Sequence, residues 1–201
     1  IDGETIDQTN IKFRPLTIKP AIKFSANPNG TQNLLKTGIS NLSVEGADPL
    51  GDTIANNAIW ADHTHFFYAD KIGAFRFNVD GEYALRFTGG DISSGGFSML
   101  NHVDDFIIDN CSNGLRVGNT VAQQDGPVNA STWGNGRITG LNDGTGIGVN
   151  IRKGFANSFF NLDVERFNVA FNIGANGNTL WGGDIEGNDK AYSTETPLSS
   201  I

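Results

Sequence analysis

Residues 157–165 read Asn-Ser-Phe-Phe-Asn-Leu-Asp-Val-Glu, and a shift of 21 positions lays them on Asn-Thr-Leu-Trp-Gly-Gly-Asp-Ile-Glu at 178–186. Apolar meets apolar, Asp163 meets Asp184 and Glu165 meets Glu186. The same phase recurs upstream. Residues 39–46 (Ile-Ser-Asn-Leu-Ser-Val-Glu-Gly) align with 103–110 (Val-Asp-Asp-Phe-Ile-Ile-Asp-Asn) through Leu42, Phe106 and Leu162, and Gly136-Arg-Ile-Thr-Gly140 is a shorter copy. A translational repeat of this length constrains the chain more than any composition does. Each unit is too short to bury its own apolar face and must stack on its neighbours.

A second class of short strand follows in each copy. Gly114-Leu-Arg-Val-Gly118, Gly146-Ile-Gly-Val-Asn150 and Ala170-Phe-Asn-Ile-Gly174 share one pattern, which Ala84-Leu-Arg-Phe87 and Phe75-Arg-Phe-Asn78 resemble. These runs alternate with period two and end on Gly or Asn, residues that tolerate left-handed corners. Short strands at two or three per repeat predict an all-β fold: a right-handed, single-stranded parallel β-helix, a solenoid with Gly and Asn corners. Each rung then pairs with the rungs above and below, so that backbone groups are satisfied along the stack. The rival reading is an antiparallel sandwich. Against it, the copies keep one phase, and Asn-Gly hairpin turns are not placed between paired runs.

The 26 Gly among 201 residues, with Asn nearly as frequent, disfavour helix. The net charge of −8 argues against a nucleic-acid partner, because phosphate binding needs a basic stripe. No apolar run approaches the roughly 18 residues of a membrane helix, so no membrane insertion is expected. Cys111 stands alone, which excludes an internal disulfide and a cysteine-built metal site. The chain starts at Ile1, as a processed product or a piece of a longer one would. Residues 1–37, with Pro15, Pro20 and Pro28, read as an irregular or first-rung extended segment, 38–190 as the coil, and 191–201 as a loose polar tail. Spacing between copies varies, so loops must leave the coil, with 48–56 and 119–131 the foremost candidates.

The Asn-x-hydrophobic-x-hydrophobic-x-x-Gly phrasing, the Gly and Asn corners and the stacked copies over 38–188 resemble the pectate-lyase-like parallel β-helix superfamily, and within it the bacteriophage tailspikes. The Gly-Asp-Gly-x-x-Asp-Asp-Thr segment that often opens the tailspike helix is not present. The resemblance implies a homotrimer on a virion tail, outside the cell, that attacks bacterial capsule or lipopolysaccharide; without it, the chain would be read as secreted.

The repeat itself points to a site. With Leu162, Val164 and Ile185 inward, the acids Asp163, Glu165, Asp184 and Glu186 share one outer face, on rungs about 4.8 Å apart with alternate residues about 6.7 Å apart. Two unit charges 5 Å apart repel by roughly 0.8 kcal/mol in water and roughly 3 kcal/mol at an effective dielectric near 20. One member of such a group holds its proton more tightly than a free acid. A raised carboxyl beside an ionised one is the pairing glycoside hydrolysis uses, at separations that suit either a retaining or an inverting enzyme. These four are the candidate catalytic residues. Glu45 and Asp109 continue the Glu165 column, and Arg137 takes the Asp163 position. Trp133 and Trp181, just before the strands that carry Arg137 and Asp184, are candidate sugar platforms, with Phe160 matching Trp181 by alignment. Trp133, Arg137, Trp181, Asp109 and Glu45 are thus the candidate substrate-binding set. The bland alternative is a solvated charged face relieved by Arg137, Arg152 or Arg166.

His63 and His65, with Asp62, are a weak metal signal, two imidazoles on one strand face without a third ligand at a known spacing, so no metal is expected, and no cofactor motif is present. The functional expectation is a module that binds and hydrolyses a bacterial surface polysaccharide. Its alternatives are a non-catalytic structural or receptor-binding shaft and a polysaccharide lyase, the latter disfavoured by a column of acids facing an acidic polymer.

Overall fold

A computed structural model of the chain describes residues 10–12, 19–25, 34–46, 55–90, 96–118, 126–141 and 143–194. Among the described residues the fold is all-β, with eighteen strands and no helix. The strands form three sheets, and every strand pairing in them is parallel.

The first sheet holds the long strands: β1 (Asn10–Lys12), β4 (Gly38–Glu45), β7 (Tyr68–Phe75), β10 (His102–Cys111), β13 (Thr132–Gly140), β15 (Ser158–Glu165) and β17 (Thr179–Glu186), stacked in that order. The second runs from β2 (Ile22–Ser25) through β5 (Ile59–Asp62), β8 (Leu85–Thr88), β11 (Leu115–Val117), β14 (Ile147–Ile151) and β16 (Val169–Ile173) to β18 (Lys190–Thr194). The third is made of two-residue strands, β3 (Leu34–Leu35), β6 (Thr64–His65), β9 (Ser98–Met99) and β12 (Val128–Asn129). From β2 to β13 the chain visits second, third and first sheets in turn, and from β14 to β18 it alternates between the second and first alone; sequence neighbours in one sheet are hydrogen-bonded neighbours in space.

Register follows the repeat. Leu42, Ile72, Phe106, Gly136, Leu162 and Gly183 are successive partners, and Asp163 faces Asp184 while Glu165 faces Glu186. The second strand class is confirmed for 84–87, 114–118, 146–150 and 170–174 through the column Leu85, Leu115, Val149, Phe171. Phe75-Arg-Phe-Asn78 does not belong to it: Phe75 closes β7 of the first sheet, opposite Glu45 and Asp109. Pairing also continues through Thr194, into the segment expected to be loose. The remainder of that tail, most of 1–37, and residues 48–54 and 119–125 of the loop candidates 48–56 and 119–131 lie outside the described residues; within the second candidate, Val128–Asn129 is strand β12 rather than loop.

The core is a cluster of buried residues drawn from all three sheets, Ile72, Leu85 and Val128 among them. Large core side chains form a run of ring contacts, Phe67 to Phe87 at 5.9 Å, Phe87 to Trp133 at 5.6 Å and Trp133 to Phe159 at 4.9 Å, and half-buried Phe24 packs on Phe67 at 5.0 Å. Burial of each such ring stabilises by about 1.5–3 kcal/mol. Corners are made by single residues with positive φ. Asn41, Lys71, Asp105, Asn135, Asn161 and Gly182 occupy one column inside the first-sheet strands, and Lys36, Phe66, Leu100, Ala130 and Ala156 another just before them. Left-handed backbone is costly for lysine, phenylalanine or leucine, so these corners are imposed by stacking rather than by local preference. Asparagines bind the turns: buried Asn157 donates to the Val128 carbonyl at 2.9 Å and accepts from the Ser131 amide at 3.0 Å, while half-buried Asn188 bridges Val164 and Phe167 in the same way.

Candidate functional site

The outer face of the first sheet gathers the side chains that could do chemistry. Alternation sends Leu162 and Val164 into the core and leaves Asp163 half-buried on the outside. Arg137, Asp163 and Asp184 are register partners on three successive strands, as are Thr139, Glu165 and Glu186. All four expected carboxylates therefore share one patch.

They are not equivalent. Asp184 and Glu186 are exposed, and Asp184 accepts the Ile185 amide at 2.8 Å. Glu165 is only 9% exposed and lies between two guanidinium groups, Arg137 Nη2 at 3.5 Å and Arg166 Nε at 4.0 Å. Arg137 Nε also reaches Asp163 Oδ2 at 3.8 Å. Asp163 Oδ1 is buried without a hydrogen-bond partner. Burial first, and then the charge of Glu165, hold the Asp163 carboxyl above the usual carboxylate range; Arg137 opposes this without cancelling it. A carboxyl with a raised pKa sits two residues from one tied to arginines.

Aromatic rings flank the patch. Trp181 is 59% exposed and stacks on Phe160, with centroids 5.6 Å apart and planes 25° from parallel. The two are register partners, and the next partner along is Gly134. A Cβ at Gly134 would lie 2.1 Å from the Phe160 ring, so glycine is what lets that ring lie against the sheet.

Three expected substrate-binding residues sit differently. Trp133 faces the core, fully buried, because its register partners are the inward Val103 and Phe159 rather than the outward Asp104 and Phe160. Sealed there, it is not a platform. Glu45 is 6% exposed and ion-paired with Arg76, so its carboxylate is engaged within the fold. Asp109 is exposed, but the register shifts between Ile108 and Cys111, and Phe75 and Thr139 interrupt the acidic column between Glu45 and Glu165. His63 and His65 are buried with rings 6.4 Å apart, and burial lowers the pKa of both. Among the described residues no three His, Cys, Asp or Glu side chains gather as metal ligands.

Sequence reasoning missed a further constellation on this face, in β7 and β10. Tyr68, 46% exposed, stacks on His102 at 5.7 Å with planes 10° apart. Asp70 and Asp104 are register partners beside it. The signal lay in Tyr68-Ala-Asp-Lys-Ile-Gly-Ala-Phe75, whose inward positions are Ala69, Ile72 and Ala74. Small inward residues hid the strand from a search for large apolar ones.

Comparison with known proteins finds no matching family model, no similar curated protein and no similar solved structure.

Proposed function

We propose that the three parallel sheets wind as a right-handed, single-stranded β-helix of the tailspike kind, and that its first-sheet face binds and hydrolyses a bacterial surface polysaccharide. One observation carries the reading: Asp163, whose carboxyl pKa is raised above the ordinary range by burial and by the charge of Glu165, lies beside the arginine-paired Glu165 and near the stack of Phe160 and exposed Trp181. Asp163 supplies the proton to the departing glycosidic oxygen. Glu165 serves as the carboxylate that activates water or attacks the sugar. Arg137 spans the two and sets their spacing, Asp184 and Glu186 accept sugar hydroxyls, and Trp181 offers an apolar face to a ring. No cofactor enters this scheme.

Exposed Leu35, Phe66, Leu100 and Phe155 on the flank support lateral association of three copies, as the resemblance implies for a virion tail. The ion pairs of Arg137 and Arg166 favour a second reading, a receptor-binding shaft whose charges simply neutralise one another.

The test is incubation with a panel of bacterial capsular polysaccharides and lipopolysaccharides, with mass analysis of the products. Cleavage is expected with at least one, falling about a thousandfold in Asp163→Asn and in Glu165→Gln with the fold intact. Retention of a polymer with no fragments would move the chain to the shaft reading. Products with ultraviolet-absorbing unsaturated ends would make it a lyase.

A further inference from the structure

Two aromatic stacks stand on the outer face of the first sheet, and only one belongs to the carboxylate patch. Phe160–Trp181 lies on β15 and β17, while Tyr68–His102 lies on β7 and β10. Gly38, the register partner of Tyr68 on β4, brings no side chain over the ring. A Cβ there would lie 2.3 Å from the Tyr68 carbonyl oxygen, so the close backbone approach reserves the position for glycine. The Tyr68 ring consequently keeps almost half its surface open. Its hydroxyl bonds Asp70, and His102 Nδ1 is 2.6 Å from Thr132 Oγ1, which holds the lower ring in place. An open ring rimmed by carboxylates is the composition that receives a pyranose, with an apolar face below and acceptors for hydroxyls at the edge.

The gap between the stacks is bridged. Asn135 donates to Asp104 Oδ1 at 2.8 Å, and Asn161 donates to Asn135 Oδ1 at 3.1 Å. Both asparagines are exposed corner residues with positive φ, set in one column on adjacent strands. Asp104 is two residues from His102, and Asn161 adjoins Phe160. The result is a polar ladder running across the strands from one ring pair to the other. From Tyr68 to Trp181 is four strand spacings, roughly 19 Å at about 4.8 Å each.

We propose that Tyr68 and His102 form a second sugar subsite, joined to the Phe160–Trp181 subsite by the Asp104–Asn135–Asn161 ladder, so that one glycan chain lies across strands β7 to β17. This rests on the polysaccharide reading of the carboxylate patch and extends it: a single disaccharide cannot touch both stacks, so the face selects long chains.

The experiment is an array of bacterial capsular polysaccharides and O-antigens, each immobilised as the long polymer and as its single repeat unit, probed with the native chain, Tyr68→Ala, Tyr68→Phe and Trp181→Ala. Thermal unfolding midpoints of the variants, all at exposed positions, serve as the folding control. The native chain is expected to hold the long polymer more tightly than the repeat unit. Tyr68→Ala should weaken the hold on the polymer about tenfold and leave the repeat unit unchanged. Tyr68→Phe, which keeps the ring, should stay within about threefold of native. Trp181→Ala should weaken both forms. If Tyr68→Ala holds the polymer as tightly as the native chain does, the second subsite is overturned while the carboxylate site stands. If the native chain retains nothing on the array, the polysaccharide reading falls and this inference with it.

Discussion

Trp133 and Trp181 occupy the same strand class in copies of one repeat, yet they live in opposite environments. Trp133 is sealed in the core against Phe87 and Phe159, with its indole nitrogen unpartnered. Trp181 is more than half exposed and lies on Phe160 outside the sheet. One residue of register separates them, since Trp133 pairs with Phe159 and Trp181 with Phe160. A strand alternates with period two, so a shift of one exchanges core for solvent. In a stacked fold a residue's place in its strand decides its role more than its chemical type.

The sharpest way to break this comparison is to truncate both indoles. Trp133→Ala should cost about 3–5 kcal/mol of stability in urea unfolding, whereas Trp181→Ala should stay within about 0.5 kcal/mol of native. Equal costs would mean that the register is wrong. A smaller effect is expected from Gly134→Ala, which puts a methyl group where the Phe160 ring now rests. It should cost about 1 kcal/mol and disturb the outer stack while Trp133 remains shielded, read as raised quencher access to tryptophan from Trp181 alone.

The smallest effect is one of pH. Asp163 has a folded-state pKa above its unfolded value, so the folded chain binds that proton more tightly. The resulting stability is fully present below the unfolded value and is lost as pH rises through the folded one. Asp163→Asn should therefore raise the unfolding midpoint at pH 7 relative to native and leave it unchanged near pH 3. A loss at pH 7 instead would show that the Arg137 contact outweighs burial and the Glu165 charge.

Much of this architecture was legible in the chain. The 21-residue shift correctly paired Asp163 with Asp184, Glu165 with Glu186 and Phe160 with Trp181, because identical phase on both strands left only one way to bury Leu162 and Val164. Arg137 in the Asp163 position followed from the same phase. The third sheet was not legible, since two-residue strands such as Thr64–His65 carry no periodicity to detect. Nor were the corners at Lys71, Phe66 and Leu100, residues that no turn preference would nominate. Parallel pairing on both sides holds those backbones in place, at a local cost of order 1–3 kcal/mol each. Glu45 was misread for a related reason: Arg76, which neutralises it, comes from the turn after the next first-sheet strand, and the repeat does not record that contact.

By itself, the amino-acid sequence determined a stack of short strands with apolar residues in phase, because stacking in one phase buries a face that recurs in every repeat. The tertiary structure decided which members of each column meet water: whether a tryptophan is core or platform, whether a glutamate is spent on an arginine, and where an aromatic ring finds glycine instead of a side chain beside it. Those outcomes depend on the residue one strand away, at a distance of a whole repeat along the chain, and local composition holds no information about it.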